Sequence, residues 1–186
     1  LLGGEISELP DIIQKNCFDI AGFMVGAFKK ENSIDKNSIK KGDIVVAFAS
    51  TGAHSNGFSL IRKLFKDRKI NEELFKLSLK PTKIYADIIY SLSDKRLIKA
   101  SSNITGGGIY SNLKRIIPKG LDLKLDYSKL PKMEIFEAIK KFVELEECYG
   151  VFNMGAGFCA VCDKKNVDLV LELAKDYSPF ILGEVI

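Results

Sequence analysis

The chain has 186 residues, 46% of them hydrophobic, and a formal net charge of +4. That length suits one ordinary domain with a flanking piece, and the hydrophobic share can fill a sizeable core. Charges of both signs are spread along the sequence, which argues against a nucleic-acid-binding surface. No run approaches the ~18 apolar residues of a membrane span.

The opening Leu1-Leu2-Gly3-Gly4-Glu5 lacks the charged region and apolar stretch of a signal peptide, so a cytoplasmic protein is expected. The sequence starts without Met and in mid-pattern. An N-terminal part is therefore expected upstream, with residues 1–16 as its end or an inter-domain segment and 17–186 as a C-terminal domain. Of the four cysteines, Cys159 and Cys162 form a single C-x-x-C inside the apolar run Phe158–Cys162. Without a second pair this reads as buried reduced thiols, not as a metal site.

Ile20–Phe28, centred on Ala21-Gly22-Phe23-Met24-Val25-Gly26, reads as a buried strand with glycines at close-packing points. Residues 33–41 read as a loop with a short element, and Ile44–Ala49 as an apolar strand. After the polar loop 50–57, Phe58, Ile61, Leu64 and Phe65 predict a helix over 57–67, with Ser55 or Asn56 as N-cap. Residues 68–80 read as irregular. Pro81 suits the first turn of a helix that carries the stripe Ile84, Tyr85, Ile88, Ile89 and Leu92.

Residues 98–102 suggest a short strand, and Gly106-Gly107-Gly108 breaks any regular element. Ile109, Leu113, Ile116 and Ile117 restore helical spacing until Pro118 and Gly120. Strands are predicted over 121–125, 158–162 and 180–185, with helices over 134–145 and 165–176. Strands that alternate with helices imply a sheet covered by helices.

Two loops carry the chemical interest. Ser50-Thr51-Gly52-Ala53-His54-Ser55-Asn56-Gly57 holds the only histidine of the chain, and Asn103-Ile104-Thr105-Gly106-Gly107-Gly108 is the second. Each is small, polar and glycine-rich, and each leads from an apolar run into a helical pattern. Backbone amides at such junctions favour an anion, so a phosphorylated ligand is expected. His54 titrates near neutrality when unperturbed and lies in a loop of small residues, not in an apolar setting. It reads as a proton donor or acceptor, or as an idle exposed histidine. The triple glycine lets a backbone approach a ligand closely, or is a flexible turn. It matches neither a Walker A loop nor a dinucleotide fingerprint. Asn153-Met154-Gly155-Ala156-Gly157 offers a polar group or a tight bend before a strand, and Glu5 and Glu8 are site acids or solvated loop acids.

Together these motifs resemble the aminoimidazole ribonucleotide synthetase (phosphoribosylformylglycinamidine cyclo-ligase) family. Gly3–Pro10 is similar to the family's GGETAEMP element, and Ala21-Gly22-Phe23 with Val25-Gly26 to its next strand. Ser50–Arg62 resembles its HSNG-containing run, Pro81–Tyr85 its PT(R/K)IY, Ile104–Gly108 its ITGGG, and Phe152–Gly157 its FNMGxG. Ser102-Asn103 stands where the family usually has a histidine, and Phe158 where it has Met.

The resemblance implies an α+β fold, a mixed β-sheet with packed helices in α-β-α layers, forming the C-terminal domain. It implies ATP-dependent conversion of formylglycinamidine ribonucleotide to aminoimidazole ribonucleotide in purine biosynthesis. ATP and Mg²⁺ would be held mainly by an N-terminal domain, and the full-length protein would be a homodimer. No nucleic acid or membrane partner is implied. His54 is expected as the catalytic polariser or proton donor. Ser55, Asn56, Thr105, Gly106, Gly107 and Gly108 are expected to bind the substrate and its phosphate, with Asn153 and Glu5 as further substrate contacts; no metal ligand is expected. Two other readings stay open: a non-catalytic ligand-binding domain of the same fold, and another ATP-dependent superfamily member such as a selenophosphate synthetase or thiamine-monophosphate kinase.

Overall fold

The computed structural model describes residues 18, 20–27 and 33–186. Glu5, Glu8, Cys17 and the whole segment 1–16 lie outside the described residues. Five strands form one sheet: β1 (Ile44–Ala49), β2 (Ala100–Asn103), β3 (Leu123–Leu125), β4 (Ala156–Cys162) and β5 (Pro179–Val185), in the order β2-β4-β1-β5-β3. All four pairings among the described residues are antiparallel, where a mixed sheet was expected.

β1 and β4 lie in the middle of the sheet and are apolar on both faces, as strands covered twice must be. Their side chains alternate between two cores. Val45, Ala47, Cys159 and Val161 face one core, while Val46, Phe48, Ala160 and Cys162 face the other. The first core is closed by α1 (Phe58–Lys66), α2 (Glu72–Ser78), α4 (Gly108–Lys114), α5 (Glu134–Ile139) and α6 (Leu145–Val151). The second is closed by α3 (Ala86–Asp94) and α7 (Val167–Leu173). The α-β-α layering is therefore as expected. No helix among the described residues is long and apolar enough to cross a membrane.

Several expectations are corrected. Residues 20–27 form no strand, and Phe23, Met24 and Val25 are 94%, 94% and 90% exposed. Apolar composition proposes a strand, but only a pairing edge makes one, and none of the five strands pairs with this segment. Residues 68–80 are not irregular, because α2 lies there. The Asn71 side chain accepts from Leu74 N at 2.9 Å, and Glu72 and Glu73 occupy the positive end of the helix. Pro81 does not open α3. Residues 81–85 form no regular element, and the helix begins at Ala86. The helix expected over 134–145 stops at Ile139, and a second one, α6, packs against α4. Cys159 and Cys162 sit in opposite cores, so their sulfurs diverge.

Candidate functional site

One end of the sheet gathers both glycine-rich loops. Loop 50–57 leaves β1 and is tied down on three sides. Toward β4, Ser50 N donates to Gly155 O at 2.9 Å. The Asn153 amide donates to Gly52 O at 2.9 Å while its Oδ1 accepts from Ser50 Oγ and Gly155 N. Toward α3, Thr51 Oγ1 donates to Pro81 O at 2.7 Å and Ser55 Oγ lies 3.3 Å from Thr82 Oγ1. Toward the second loop, Asn56 Oδ1 accepts from Gly106 N at 2.9 Å. Neither Ser55 nor Asn56 caps α1: Gly57 is the N-cap, with no side-chain capping bond. Asn56 is instead spent on joining the two loops.

His54 is buried, which removes the idle exposed histidine that was one of its two readings. It adopts the left-handed backbone region, φ 55°, which turns its ring inward. Its Nε2 accepts from Thr51 N at 3.2 Å, which places the ring proton on Nδ1. Nδ1 is itself buried and has no hydrogen-bond partner. Burial lowers the pKa of the ring from its ordinary value, so the imidazole is neutral near pH 7.

Tyr85 lies beside it, ring centroids 6.2 Å apart, and donates its hydroxyl to Ala49 O at 2.8 Å. Both rings close on Gly157, where an added Cβ would strike Tyr85 Oη and His54 Cε1. Gly157 is the extra residue of a β-bulge: Phe48 pairs with Phe158, but Ala49 pairs with Ala156. Its carbonyl accepts from Ile104 N at 3.1 Å and so anchors the start of the second loop.

In that loop the three glycines do different work. Gly106 N is taken by Asn56 and Gly108 N donates to Thr105 O at 3.2 Å, so these two amides already have acceptors. Gly107 is the N-cap of α4 at φ 96°. Gly108 is buried, and a Cβ on it would strike the Tyr149 carbonyl of α6, so its lack of a side chain serves helix packing.

Two clefts flank this end. One, of about 420 Å³, is lined by His54, Ser55, Arg62, Lys80 and Thr82 among others. The other, of about 510 Å³, is mostly apolar and includes Thr82, Tyr85, Asn103 and Phe158. Thr82 lines both clefts. Asn103, at the histidine position of the family pattern, is exposed on this second cleft.

The structure thus brings together His54, Ser55, Asn56, Thr105, Gly106, Gly107 and Gly108. Asn153 is 1% exposed and its amide is committed to loop 50–52, so it shapes the site from behind. Glu5 is outside the described residues. Sequence reasoning passed over Tyr85, Thr82, Gly157 and Asn112 as site residues. Asn112 had a signal: it is a polar residue on the stripe Ile109, Leu113 and Ile116, three after Ile109. Among the described residues, no group of three or more His, Cys, Asp or Glu is placed to hold a metal ion.

A helix-covered antiparallel sheet of this kind has solved counterparts. Thiamine-monophosphate kinase from Stenotrophomonas maltophilia superposes with TM-score 0.58 at 13% identity, covering 85% of this chain and 52% of that one. The hydrogenase maturation protein HypE of E. coli gives 0.58 at 16%, covering 83% and 46%. These likenesses establish the fold alone. Residues 40–186 match the family model described as AIR synthase related protein, C-terminal domain, and the chain belongs to that family. It is 39% identical to the phosphoribosylformylglycinamidine cyclo-ligase of Staphylococcus epidermidis over 100% of this chain and 57% of that protein. The Staphylococcus aureus enzyme of the same name is 36% identical over 93% and 53%. The chain therefore spans a little over half the length of these curated relatives.

Proposed function

We propose that this chain is the C-terminal, substrate-binding part of an ATP-dependent cyclo-ligase. The reaction closes formylglycinamidine ribonucleotide to aminoimidazole ribonucleotide, with ATP leaving as ADP and phosphate. One observation carries the reading: Asn56 of the HSNG run bonds Gly106 of the ITGGG run in a chain 39% identical to a curated cyclo-ligase. Two motifs separated by fifty residues become one surface.

Among the described residues no group of three or more His, Cys, Asp or Glu is placed to hold a metal ion, so no step is routed through Mg²⁺. It and the bulk of the ATP site would lie in the other part of the complete protein, which would assemble as a dimer in the cytoplasm. The Ser55 hydroxyl and the Gly107 amide would hold and orient the ribonucleotide and its phosphate, with the Thr105 hydroxyl, which donates to Asn112 Oδ1, offering its oxygen lone pairs to a ribose hydroxyl. Phosphoryl transfer depends mainly on positioning and charge stabilisation, which suits a donor-lined, rigid surface. His54 would act as a neutral hydrogen-bond donor through Nδ1, the buried ring atom left without a partner, once seating of the substrate uncovers it toward the formyl oxygen; a depressed pKa suits that role better than proton carriage.

The test is turnover by the complete protein given formylglycinamidine ribonucleotide, ATP and Mg²⁺. Stoichiometric aminoimidazole ribonucleotide and ADP are expected. His54→Gln, which keeps an acceptor for Thr51 N, should lower kcat by about 10²–10⁴-fold. ADP formation without the imidazole product would overturn the reading, and wild-type kcat in folded His54→Gln would overturn the role of His54.

A further inference from the structure

We infer that Asn112 is a positioning residue that sets which way the amides of the triple-glycine loop point; this rests on the cyclo-ligase reading of that loop. Asn112 lies in α4 and is 3% exposed. Its side-chain amide faces three carbonyls of the loop: Thr105 O at 3.2 Å, Gly106 O at 3.3 Å and Gly108 O at 2.7 Å. Its Oδ1 accepts from Thr105 Oγ1 at 3.2 Å and Arg115 Nη1 at 3.5 Å. One buried carboxamide thus gathers the polar groups on the inner side of residues 105–108.

The consequence follows from the peptide group. A trans peptide is planar, with C=O and N–H pointing in opposite directions. The Thr105 carbonyl shares a plane with Gly106 N–H, and the Gly106 carbonyl with Gly107 N–H. Drawing both carbonyls inward to Asn112 turns both amides outward. Gly106 N–H then meets Asn56 Oδ1 at 2.9 Å, which is the bond that joins the two loops. Gly107 N–H has no acceptor among the described residues, and Gly107 is exposed. Glycines at φ 96° and 72° have little intrinsic preference for this arrangement over others, so an external clamp is needed to select it. Asn112 touches no ligand; it acts through the amides it orients.

The experiment compares wild type with Asn112→Asp and Asn112→Ser in the complete protein. Asn112→Asp keeps the shape and the acceptor for Thr105 and Arg115 but removes the donor to all three carbonyls. Asn112→Ser is milder: its hydroxyl reaches Gly108 O in the preceding turn but is too short for Thr105 O and Gly106 O. Folded variants, judged by circular dichroism and thermal unfolding, are expected to raise KM for formylglycinamidine ribonucleotide by about 10²-fold. Their kcat should stay near wild type, because lost positioning of a binding donor falls on uniform binding.

A second readout needs no turnover. By NMR, Gly106 N–H exchange with solvent should be slow in wild type, that of Gly107 fast, and Gly106 should lose its protection in either variant. A fold-stabilising residue alone would lower Tm and leave KM and the Gly106-to-Gly107 exchange contrast unchanged; that result overturns the inference. Fast exchange at Gly106 in wild type overturns it too, even if neither variant folds. Absence of turnover in wild type would sink the cyclo-ligase reading while the exchange comparison still decides the role of Asn112.

Discussion

Replacing Gly157 by alanine tests how the bulge beneath His54 is built. The backbone of Gly157 is outside the left-handed region, so alanine is conformationally allowed and the penalty is steric. The new methyl would meet Tyr85 Oη and His54 Cε1, both on rings packed in the interior. Forcing one methyl into a filled core costs about 1–3 kcal/mol. Pushing Tyr85 Oη off Ala49 O, now at 2.8 Å, adds about 1 kcal/mol. The sum, about 2–4 kcal/mol, corresponds to a fall in Tm of about 4–16 °C for a protein of this size. Tyr85→Phe alone should cost about 1 kcal/mol through the unpaired Ala49 carbonyl.

The double variant discriminates. Removing Oη relieves the nearer of the two clashes and leaves that with His54 Cε1, so Gly157→Ala/Tyr85→Phe should be less destabilised than the sum of the single changes by about 1–2 kcal/mol. Urea unfolding followed by circular dichroism measures all three. Gly157→Ala within about 0.5 kcal/mol of wild type would show that the two rings yield freely. Additivity within about 0.5 kcal/mol would show that Tyr85 Oη is not what the methyl strikes.

The lone histidine makes a second prediction easy to read. The folded pKa of His54 is depressed, so below the unfolded value of about 6.5 the unfolded chain binds the extra proton first. Its contribution is complete above that pH and is lost as pH falls toward the folded pKa; NMR titration of His54 Cε1–H should give a value under 6.5, and His54→Gln should lose this part of the acid slope. At the far end of the sheet, Lys99 Nζ bonds both oxygens of Asp43, at 2.9 and 2.8 Å, and Asp163 at 2.9 Å, with Asp43 only 1% exposed. Lys99→Met leaves that carboxylate buried and unpaired and should cost about 3–5 kcal/mol in urea unfolding. Burial raises the thiol pKa of Cys159, and burial followed by the charges of Asp43 and Asp163 pushes Cys162 up to about 12. Peptide mapping after treatment with a thiol reagent should find both unmodified until the protein is unfolded, and elemental analysis should find no zinc bound to the pair.

Elements whose signal is local are legible in the sequence. The doubly apolar runs of β1 and β4, the stripe of α1, and the two glycine-rich loops are visible because each depends on spacing, composition or chain stiffness within about a dozen residues. α2 was equally local, capped by Asn71 with Glu72 and Glu73 behind it, and was passed over for its polarity. The family patterns in the two loops were legible as well, although their roles were not.

Only the tertiary structure decided the rest, because it depends on what residues far apart in the chain leave for one another. Whether 20–27 becomes a strand depends on pairing with another strand, and none of the five described strands pairs with it. His54 is buried because Tyr85 and Gly157, about thirty and one hundred residues away, close around it. Asn56 is a bridge and not a cap because Gly106 presents an amide to it. Three adjacent glycines look alike in sequence, yet one donates to Asn56, one takes the left-handed turn, and one makes room for the Tyr149 carbonyl. Spacing can nominate such residues, but a hydrogen bond or a steric limit is a relation between two places in space, and folding alone brings them together.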